Sequence, residues 1–133
     1  MGNANPIYPM NTPPNTAGTN PATGASELAR KHCTACEKGT PALEPGRVAE
    51  LLRFLPGWEA RGGEIARTYH FKNYHETMAF VNATAWVSHR EDHHPDLEVG
   101  YNKCRVRYST HSVGGLSEND FICAAKVEML VAG

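Results

Sequence analysis

The sequence predicts an α+β domain in the order α-β-β-α-β-β-α, with a four-stranded antiparallel sheet and helices packed on one face. Two observations carry this prediction. Segments in which apolar and polar residues alternate occur as two pairs, the pattern of hairpins that bury one face. Segments with apolar residues three and four positions apart precede, separate and follow these pairs, as in amphipathic helices.

The chain has 133 residues, a length typical of one domain, and we divide it into three parts. Residues 1–27 are expected to be a disordered tail, because the segment before Glu27 contains no charged residue and is rich in Asn, Pro, Thr and Gly. Residues 28–44 are a lead-in that contains a Cys-x-x-Cys motif. Residues 45–133 are the predicted domain.

Composition narrows the function classes. The net charge is −1, which does not suggest a nucleic-acid or membrane-surface protein. No apolar run approaches the roughly 20 residues of a membrane span. The tail shows neither the basic start nor the apolar core of a signal peptide. The four cysteines are not densely spaced, so we expect a reducing, cytoplasmic environment.

The lead-in motif consists of Cys33 and Cys36. Zinc needs about four ligands, and His32 is the one nearby candidate for a third. Redox chemistry favours a pair at the start of a helix that follows a strand, and no such pattern is present. A structural pair is the simplest interpretation, and a metal site is the alternative.

The first predicted helix and hairpin span residues 45–71. Pro45 suits a first helical turn, and Pro56-Gly57 ends the apolar helical pattern. Residues 58–61 form a short predicted strand, and Gly62-Gly63 supplies a tight turn. The apolar helical positions are Val48, Leu51, Leu52 and Leu55, and one face of the second strand holds Ile65, Arg67, Tyr69 and Phe71.

The second predicted helix begins after Asn73, a suitable N-cap with Glu76 as its capping-box partner. Pro95 disfavours helical geometry at His94, so this helix ends near that residue. Its predicted buried face consists of Tyr74, Met78, Val81 and Ala85 and, one turn further, His89. This face therefore leads into a cluster of histidines.

The second predicted hairpin follows Pro95. Leu97, Val99 and Tyr101 alternate on odd positions, whereas the next strand alternates on even positions from Cys104, so a turn or bulge is needed near Asn102. The strand ends at a glycine pair, 114–115, and a last helix follows with Ser117 as its N-cap.

The histidine cluster indicates acid–base chemistry. His93 and His94 lie at the predicted helix-to-strand junction, and His111 lies at the end of a strand before the glycine pair. Because imidazole titrates near neutrality, such a cluster supplies both an acid and a base at working pH. Asp120, near the start of the last helix, is expected to orient an imidazole or to cap the helix.

A metal site is the alternative interpretation of these residues. His89 and His93 are four positions apart and share a helical face, with Asp92 and His111 as further potential ligands. Spacing alone does not separate this possibility from acid–base catalysis.

Together these positions resemble the signature of the pterin-4a-carbinolamine dehydratase family, bacterial type. Trp58 and the segments 109–111 and 114–118 also match, and the resemblance covers roughly residues 33–130. The spaced signature consists of His89, His93-His94-Pro95, Tyr101, His111 and Asp120.

The resemblance implies a homodimer or homotetramer that removes water from a 4a-hydroxytetrahydropterin without a metal or organic cofactor. It implies a catalytic set of His93, His94 and His111, with His93 as general acid/base, His111 as its counterpart and His94 also binding substrate. His89 stands where many relatives have a glutamate. The expected pocket lining is His93, His94, Pro95, Thr110, His111, Ser112 and Val113, with His89 and Asp120 in support. A non-enzymatic role as a dimerisation or assembly partner is the alternative within this family.

Overall fold

The computed structural model describes residues 21–132, and all described helices and strands belong to one α+β arrangement. In chain order the elements are α1 (Pro21–Arg30), α2 (Pro45–Leu52), β1 (Glu59–Arg61), β2 (Glu64–His70), α3 (Tyr74–Glu91), β3 (Asp96–Val99), β4 (Lys103–Tyr108), a 3-10 turn (His111–Val113) and α4 (Glu118–Val131). No helix among these is both long and apolar enough to cross a bilayer.

The four strands form one antiparallel sheet in the order β1-β2-β4-β3, which confirms the predicted fold class. Gly62 and Gly63 both have positive φ, so the first hairpin turns as the sequence predicted. The predicted change of parity also occurs: β3 ends at Val99, a turn follows, and Val99 pairs with Cys104. Leu97 and Val99 therefore share a sheet face with the even positions of β4.

The core lies between this sheet face and the helices. Every second residue of β4 is fully buried, and α4 is buried along most of its length. The apolar centre consists of Ile65, Tyr69, Cys104, Val106, Tyr108, Phe121, Ala124 and Val127. At one end of it, a single Glu128 carboxylate oxygen accepts hydrogen bonds from Trp58, Arg67 and Tyr69, which joins α4 to the first hairpin.

Helix α1 corrects the expected extent of the tail. Residues 1–20 of the predicted tail lie outside the described residues, but residues 21–27 are helical rather than disordered. The helix packs on α4, with Leu28 only 4% exposed, and its Gly24 lies so close to Phe54 that a β-carbon there would overlap the ring. Tertiary packing thus orders a segment whose composition predicted disorder.

Helix α3 corrects the predicted buried face. Tyr74 is 49% exposed, and Ala85 and His89 are also exposed. The buried positions are Thr77, Phe80, Thr84, Val87 and Glu91. Hydropathy does not predict the two threonines in the core because they are polar, yet each hydroxyl donates to the carbonyl four residues earlier and so tolerates burial.

Candidate active site

The centre of the candidate site is the hydrogen bond between His93 and Asp120. Nε2 of His93 lies 2.7 Å from Oδ1 of Asp120, and the carboxylate is fully buried while the imidazole remains 13% exposed. An ionised carboxylate only accepts hydrogen bonds, so Nε2 carries the proton in this pair. Nδ1 of His93 is then the nitrogen left to meet a ligand.

Local backbone geometry directs His93 toward Asp120. Helix α3 ends at Asp92, which has left-handed φ and ψ of 53° and 43° and donates its N–H to the Ser88 carbonyl. The His93 N–H donates to the same carbonyl at 3.3 Å. This turn ends the helix without a glycine and leads His93 inward, whereas His94 is exposed.

The first turn of α4 holds Asp120. Its Oδ2 accepts from the backbone N–H of Ser117 at 2.9 Å and from the Thr110 hydroxyl at 2.8 Å. Ser117 is the N-cap of α4, as predicted, and the two residues form a reciprocal capping box. One carboxylate therefore caps the helix through one oxygen and orients an imidazole through the other.

Tyr108 packs against one face of the His93 imidazole. The rings of His93 and Tyr108 are stacked at an interplanar angle of 9°, with centroids 5.8 Å apart. Tyr108 is completely buried, and its hydroxyl has no partner among the described residues. Burial, with the neighbouring acidic groups of Cys123, Cys33 and Asp120, raises the pKa of this phenol well above its ordinary value. Tyr108 is thus a neutral surface that fixes the plane of the imidazole.

Of these groups, His93 and Thr110 line an open cleft of about 210 Å³, whereas Asp120 and Tyr108 are fully buried and do not line it. Its lining comprises Asp92, His93, His94, Asp96, Arg107, Ser109, Thr110, His111 and Ser112. The cleft therefore brings the three predicted catalytic histidines together at one place, the junction of α3 with β3 and the end of β4. It also contains Thr110 and Ser112 of the predicted binding set.

Other predicted site residues lie apart from the cleft. Pro95 and Val113 are half-buried and do not line it. His89 lies on the exposed side of α3, where its ring is 5.3 Å from that of Trp86. Within residues 21–132, no group of three or more His, Cys, Asp or Glu side chains is placed to hold a metal ion. The His89–His93–His111 ligand set considered from spacing is therefore not assembled.

Sequence reasoning missed several residues of the cleft. Asp96, Arg107 and Ser109 line it but are not among the predicted site residues, and Asp92 is predicted only as a potential ligand of the alternative metal site. The sequence does contain an indication for Arg107, because Arg107 lies on the polar face of an alternating strand that leads to His111. Its guanidinium pairs with Glu64 at 3.3 Å and Glu98 at 3.2 Å, which holds it over the sheet.

Comparison with known proteins shows the same family by two routes. Residues 41–130 match the family model described as pterin 4 alpha carbinolamine dehydratase. A protein of Nitrosospira multiformis is 57% identical over 81% of this chain and 96% of its own length, and one of Nitrosomonas europaea is 60% identical over 81% and 96%. Both relatives carry the provisional description pterin-4-alpha-carbinolamine dehydratase.

A solved structure shows the same fold. The crystal structure described as a transcriptional coactivator/pterin dehydratase from Brucella melitensis superimposes with a TM-score of 0.66 at 30% sequence identity. The match covers 68% of this chain and 99% of that chain. The α+β fold is thus shared.

Proposed function

This chain belongs to the pterin-4a-carbinolamine dehydratase family, and we propose that its cleft dehydrates a 4a-hydroxytetrahydropterin by histidine acid–base catalysis. The hydro-lyase activity follows from the family and from relatives that this chain matches over nearly their full length. The observation that supports the histidine mechanism is the arrangement of three imidazoles along one cleft, with one of them held by a buried carboxylate.

The reaction needs one proton delivered and one removed. The bond between C4a and its hydroxyl oxygen breaks, and the hydroxyl leaves as water after it is protonated. A ring N–H loses its proton, and its electron pair forms the C=N bond of the quinonoid dihydropterin. Hydroxide is a poor leaving group unless it is protonated as the C–O bond breaks, and the ring N–H must lose its proton in the same process, so a positioned acid and a positioned base accelerate the step.

We assign His93 as the base. Because Nε2 donates to Asp120, Nδ1 has a free electron pair to accept the ring proton. The negative charge of the buried carboxylate then stabilises the imidazolium that forms. The stack on Tyr108 restricts rotation of the ring and keeps Nδ1 in one place.

We assign His111 as the acid and His94 as a binding residue. Both are exposed and line the cleft, so a flat bicyclic ring seated there contacts them together with His93. His111 starts a 3-10 turn whose closing residue, Gly114, has positive φ, and this turn sets its position beyond the end of β4. The product is expected to feed a reductase that regenerates the tetrahydropterin, in the cytoplasm, and we expect the enzyme to be a homodimer or homotetramer.

The test compares three single histidine variants in a stopped assay of 4a-hydroxytetrahydropterin breakdown. His93→Ala and His111→Ala are expected to lower kcat by roughly 100- to 10,000-fold, the usual contribution of one acid–base group. His89→Ala is the matched control, since this exposed imidazole lies outside the cleft, and it should keep wild-type turnover. Full activity in a His93→Ala/His111→Ala double variant would reject the mechanism.

A further inference from the structure

Two thiols that the proposed reaction does not use lie in contact behind the cleft. Sγ of Cys33, in the lead-in, is 3.5 Å from Sγ of Cys123, on α4. Cys123 is fully buried and Cys33 is half-buried. The two residues are 90 positions apart in the chain. Tertiary folding, and not the spacing of the Cys-x-x-Cys motif, therefore places them in contact.

The motif partner of Cys33 is directed elsewhere. The sulfur of Cys36 accepts a hydrogen bond from Nδ2 of Asn119 at 3.6 Å and lies 3.9 Å from the Thr34 carbonyl. The Asn119 side-chain amide also accepts from the Thr34 backbone N–H through Oδ1 and donates to the Thr34 carbonyl through Nδ2, which fixes the lead-in onto the start of α4. The lead-in therefore presents Cys33, and not Cys36, to the buried thiol.

Cys33 is within reach of small molecules from the cleft side. A second cavity of about 340 Å³ is lined by Cys33 and its neighbours in the lead-in. The same cavity is lined by His93, Thr110 and Ser112, which also line the catalytic cleft, so the two spaces adjoin. Cys123 does not line this cavity and is shielded behind Cys33.

We propose that Cys33 and Cys123 are a reversible dithiol–disulfide pair that a hydroperoxide oxidises. The sulfur of Cys33 attacks the terminal hydroperoxide oxygen, the O–O bond breaks, and an alcohol (water for hydrogen peroxide) leaves with the Cys33 proton. Cys33 is then a sulfenic acid. The sulfur of Cys123 attacks it, the S–O bond breaks, and the hydroxyl leaves as water with the Cys123 proton. The two thiols supply the two electrons that the hydroperoxide takes up.

The environment favours this order of attack. The hydrogen bond with Cys33 and then burial raise the pKa of the Cys123 thiol, which therefore keeps its proton at neutral pH. The accessible Cys33 is the one that meets the oxidant first. A disulfide needs the sulfurs to close to about 2.0 Å. Cys33 lies in a segment without helix or strand, so the lead-in can supply that movement.

The experiment counts thiols in the full-length protein. Reduced protein is treated with hydrogen peroxide, blocked with N-ethylmaleimide, and analysed by mass spectrometry before and after digestion. Of the four cysteines, two are expected to escape blocking, and one cross-linked peptide should join Cys33 to Cys123 within a single chain. Dithiothreitol should restore all four thiols. A cross-link to Cys36, a link between chains, or oxidation of Cys33 to a sulfinic acid without a cross-link would overturn the proposal.

Three variants separate the pair from its alternatives. Cys36→Ser should form the cross-link as the wild type does, whereas Cys33→Ser should lose it. Oxidation should raise the unfolding temperature of the wild type and of Cys36→Ser, since a bond between residues 90 positions apart constrains the unfolded chain. Cys33→Ser should show no such rise, and loss of the rise in Cys36→Ser would contradict the assignment. Cys123→Ala, like Cys33→Ser, should lose both the cross-link and the rise in unfolding temperature. If Cys123→Ala does not fold, Cys33→Ser still tests the proposal, because Cys33 is only half-buried.

Discussion

Asp120 combines a structural and a functional task in one side chain. Its Oδ2 completes the capping box of α4 and accepts a hydrogen bond from the Thr110 hydroxyl, while Oδ1 accepts one from Nε2 of His93. A carboxylate without exposure to solvent needs such partners, because an unpaired buried charge is strongly unfavourable. The cap therefore places Asp120, and Asp120 in turn decides which nitrogen of His93 carries the proton.

Asp120→Asn tests this tautomer control. The amide oxygen can keep the bonds to Ser117 and Thr110, but the amide nitrogen then faces His93 and is a donor. Nε2 must accept, the proton moves to Nδ1, and the base is lost. We expect kcat/KM to fall roughly 100- to 10,000-fold, the usual contribution of one acid–base group, because the wrong tautomer removes the base, with little change in urea unfolding.

Two further proteins complete the Asp120 experiment. Glu118→Gln removes a charge from the same helical turn without touching His93, and it should retain wild-type kcat/KM. In a His93→Ala background, Asp120→Asn should have little additional effect, because the residue that it orients is absent. An equal loss in both backgrounds would show that Asp120 acts independently of His93.

At the residue scale the sequence predicts the three histidines of the cleft and Asp120, which orients one of them, but it does not predict Tyr108. His93, His94, His111 and Asp120 were identified because their types and spacing match an acid–base signature. Tyr108 was assigned only to a strand, since nothing in an alternating pattern shows which aromatic ring will lie under an imidazole. The helical period places His89 on the predicted buried face of α3, but that face is not the buried one, and His89 is exposed.

Helix α3 ends at the candidate site; a side chain caps its start, and a left-handed backbone turn ends it. At the start, Oδ1 of Asn73 accepts from the Glu76 N–H at 2.9 Å, as predicted. The Glu76 carboxylate reaches back to the N–H of Lys72 rather than to that of Asn73, so the predicted capping box is one residue displaced. At the far end, Glu91 and the left-handed Asp92 end the helix just before His93.

Asn73→Ala removes the N-cap and should lower the free energy of unfolding by about 1 kcal/mol, the usual value for such a cap. Urea denaturation measures this change. The control is Asn82→Ala at an exposed position inside the same helix, where alanine has the higher helix propensity. That variant should be as stable as the wild type or slightly more stable. Equal destabilisation by both substitutions would show that the Asn73 side chain contributes nothing specific as a cap.

Glu91 joins the end of α3 to the lead-in and makes that connection sensitive to pH. Its carboxylate accepts from the Cys33 N–H at 2.7 Å and contacts His32 Nδ1 at 3.0 Å and Lys126 Nζ at 3.6 Å. Burial alone raises the pKa of Glu91, but these hydrogen bonds and the Lys126 charge outweigh it and hold the pKa below its ordinary value of 4.5.

A lowered folded-state pKa gives stability that is present above the unfolded value and is lost as pH falls through the folded value. Glu91→Gln should therefore unfold at lower urea concentration than the wild type at pH 7. The difference should shrink as the pH is lowered below 4.5, because the wild-type carboxylate then becomes protonated as well. Glu50→Gln, an exposed carboxylate on α2, is the control and should show little difference at either pH. A Glu91→Gln difference that is constant with pH would contradict the role of the charge.

At the element scale, elements whose apolar and polar residues follow a strict period can be predicted from the sequence, whereas a helix face that mixes apolar and polar residues cannot. The strands and the N-caps Asn73 and Ser117 follow from alternation and from short polar side chains at helix starts. The buried face of α3 does not, because Thr77 and Thr84 are buried there while the apolar Trp86 is 59% exposed. Hydropathy cannot show that a hydroxyl is satisfied by its own helix.

For the whole molecule, the segment before residue 41 decides where the functional unit begins. The family model starts at residue 41, yet α1 and the lead-in pack on the matched core. Lys126 donates to the Ala29 carbonyl at 2.6 Å, Asn119 holds Thr34, and Cys33 reaches the buried thiol of α4. The lead-in thereby walls the cavity that adjoins the cleft, which makes it a part of the site's surroundings rather than a loose extension.

Leu28→Ala tests whether α1 unfolds together with the rest of the molecule. Leu28 is 4% exposed within the main core cluster, so its truncation should lower the free energy of unfolding by roughly 2–5 kcal/mol, the range for buried leucines. Glu27→Ala, on the exposed side of the same turn, should change it by less than about 0.5 kcal/mol. The measurement is urea unfolding followed by tryptophan fluorescence, and Trp58 in the core reports on the matched domain. If Leu28→Ala leaves that transition unchanged, α1 is a separately unfolding attachment, and the cooperative unit begins after it.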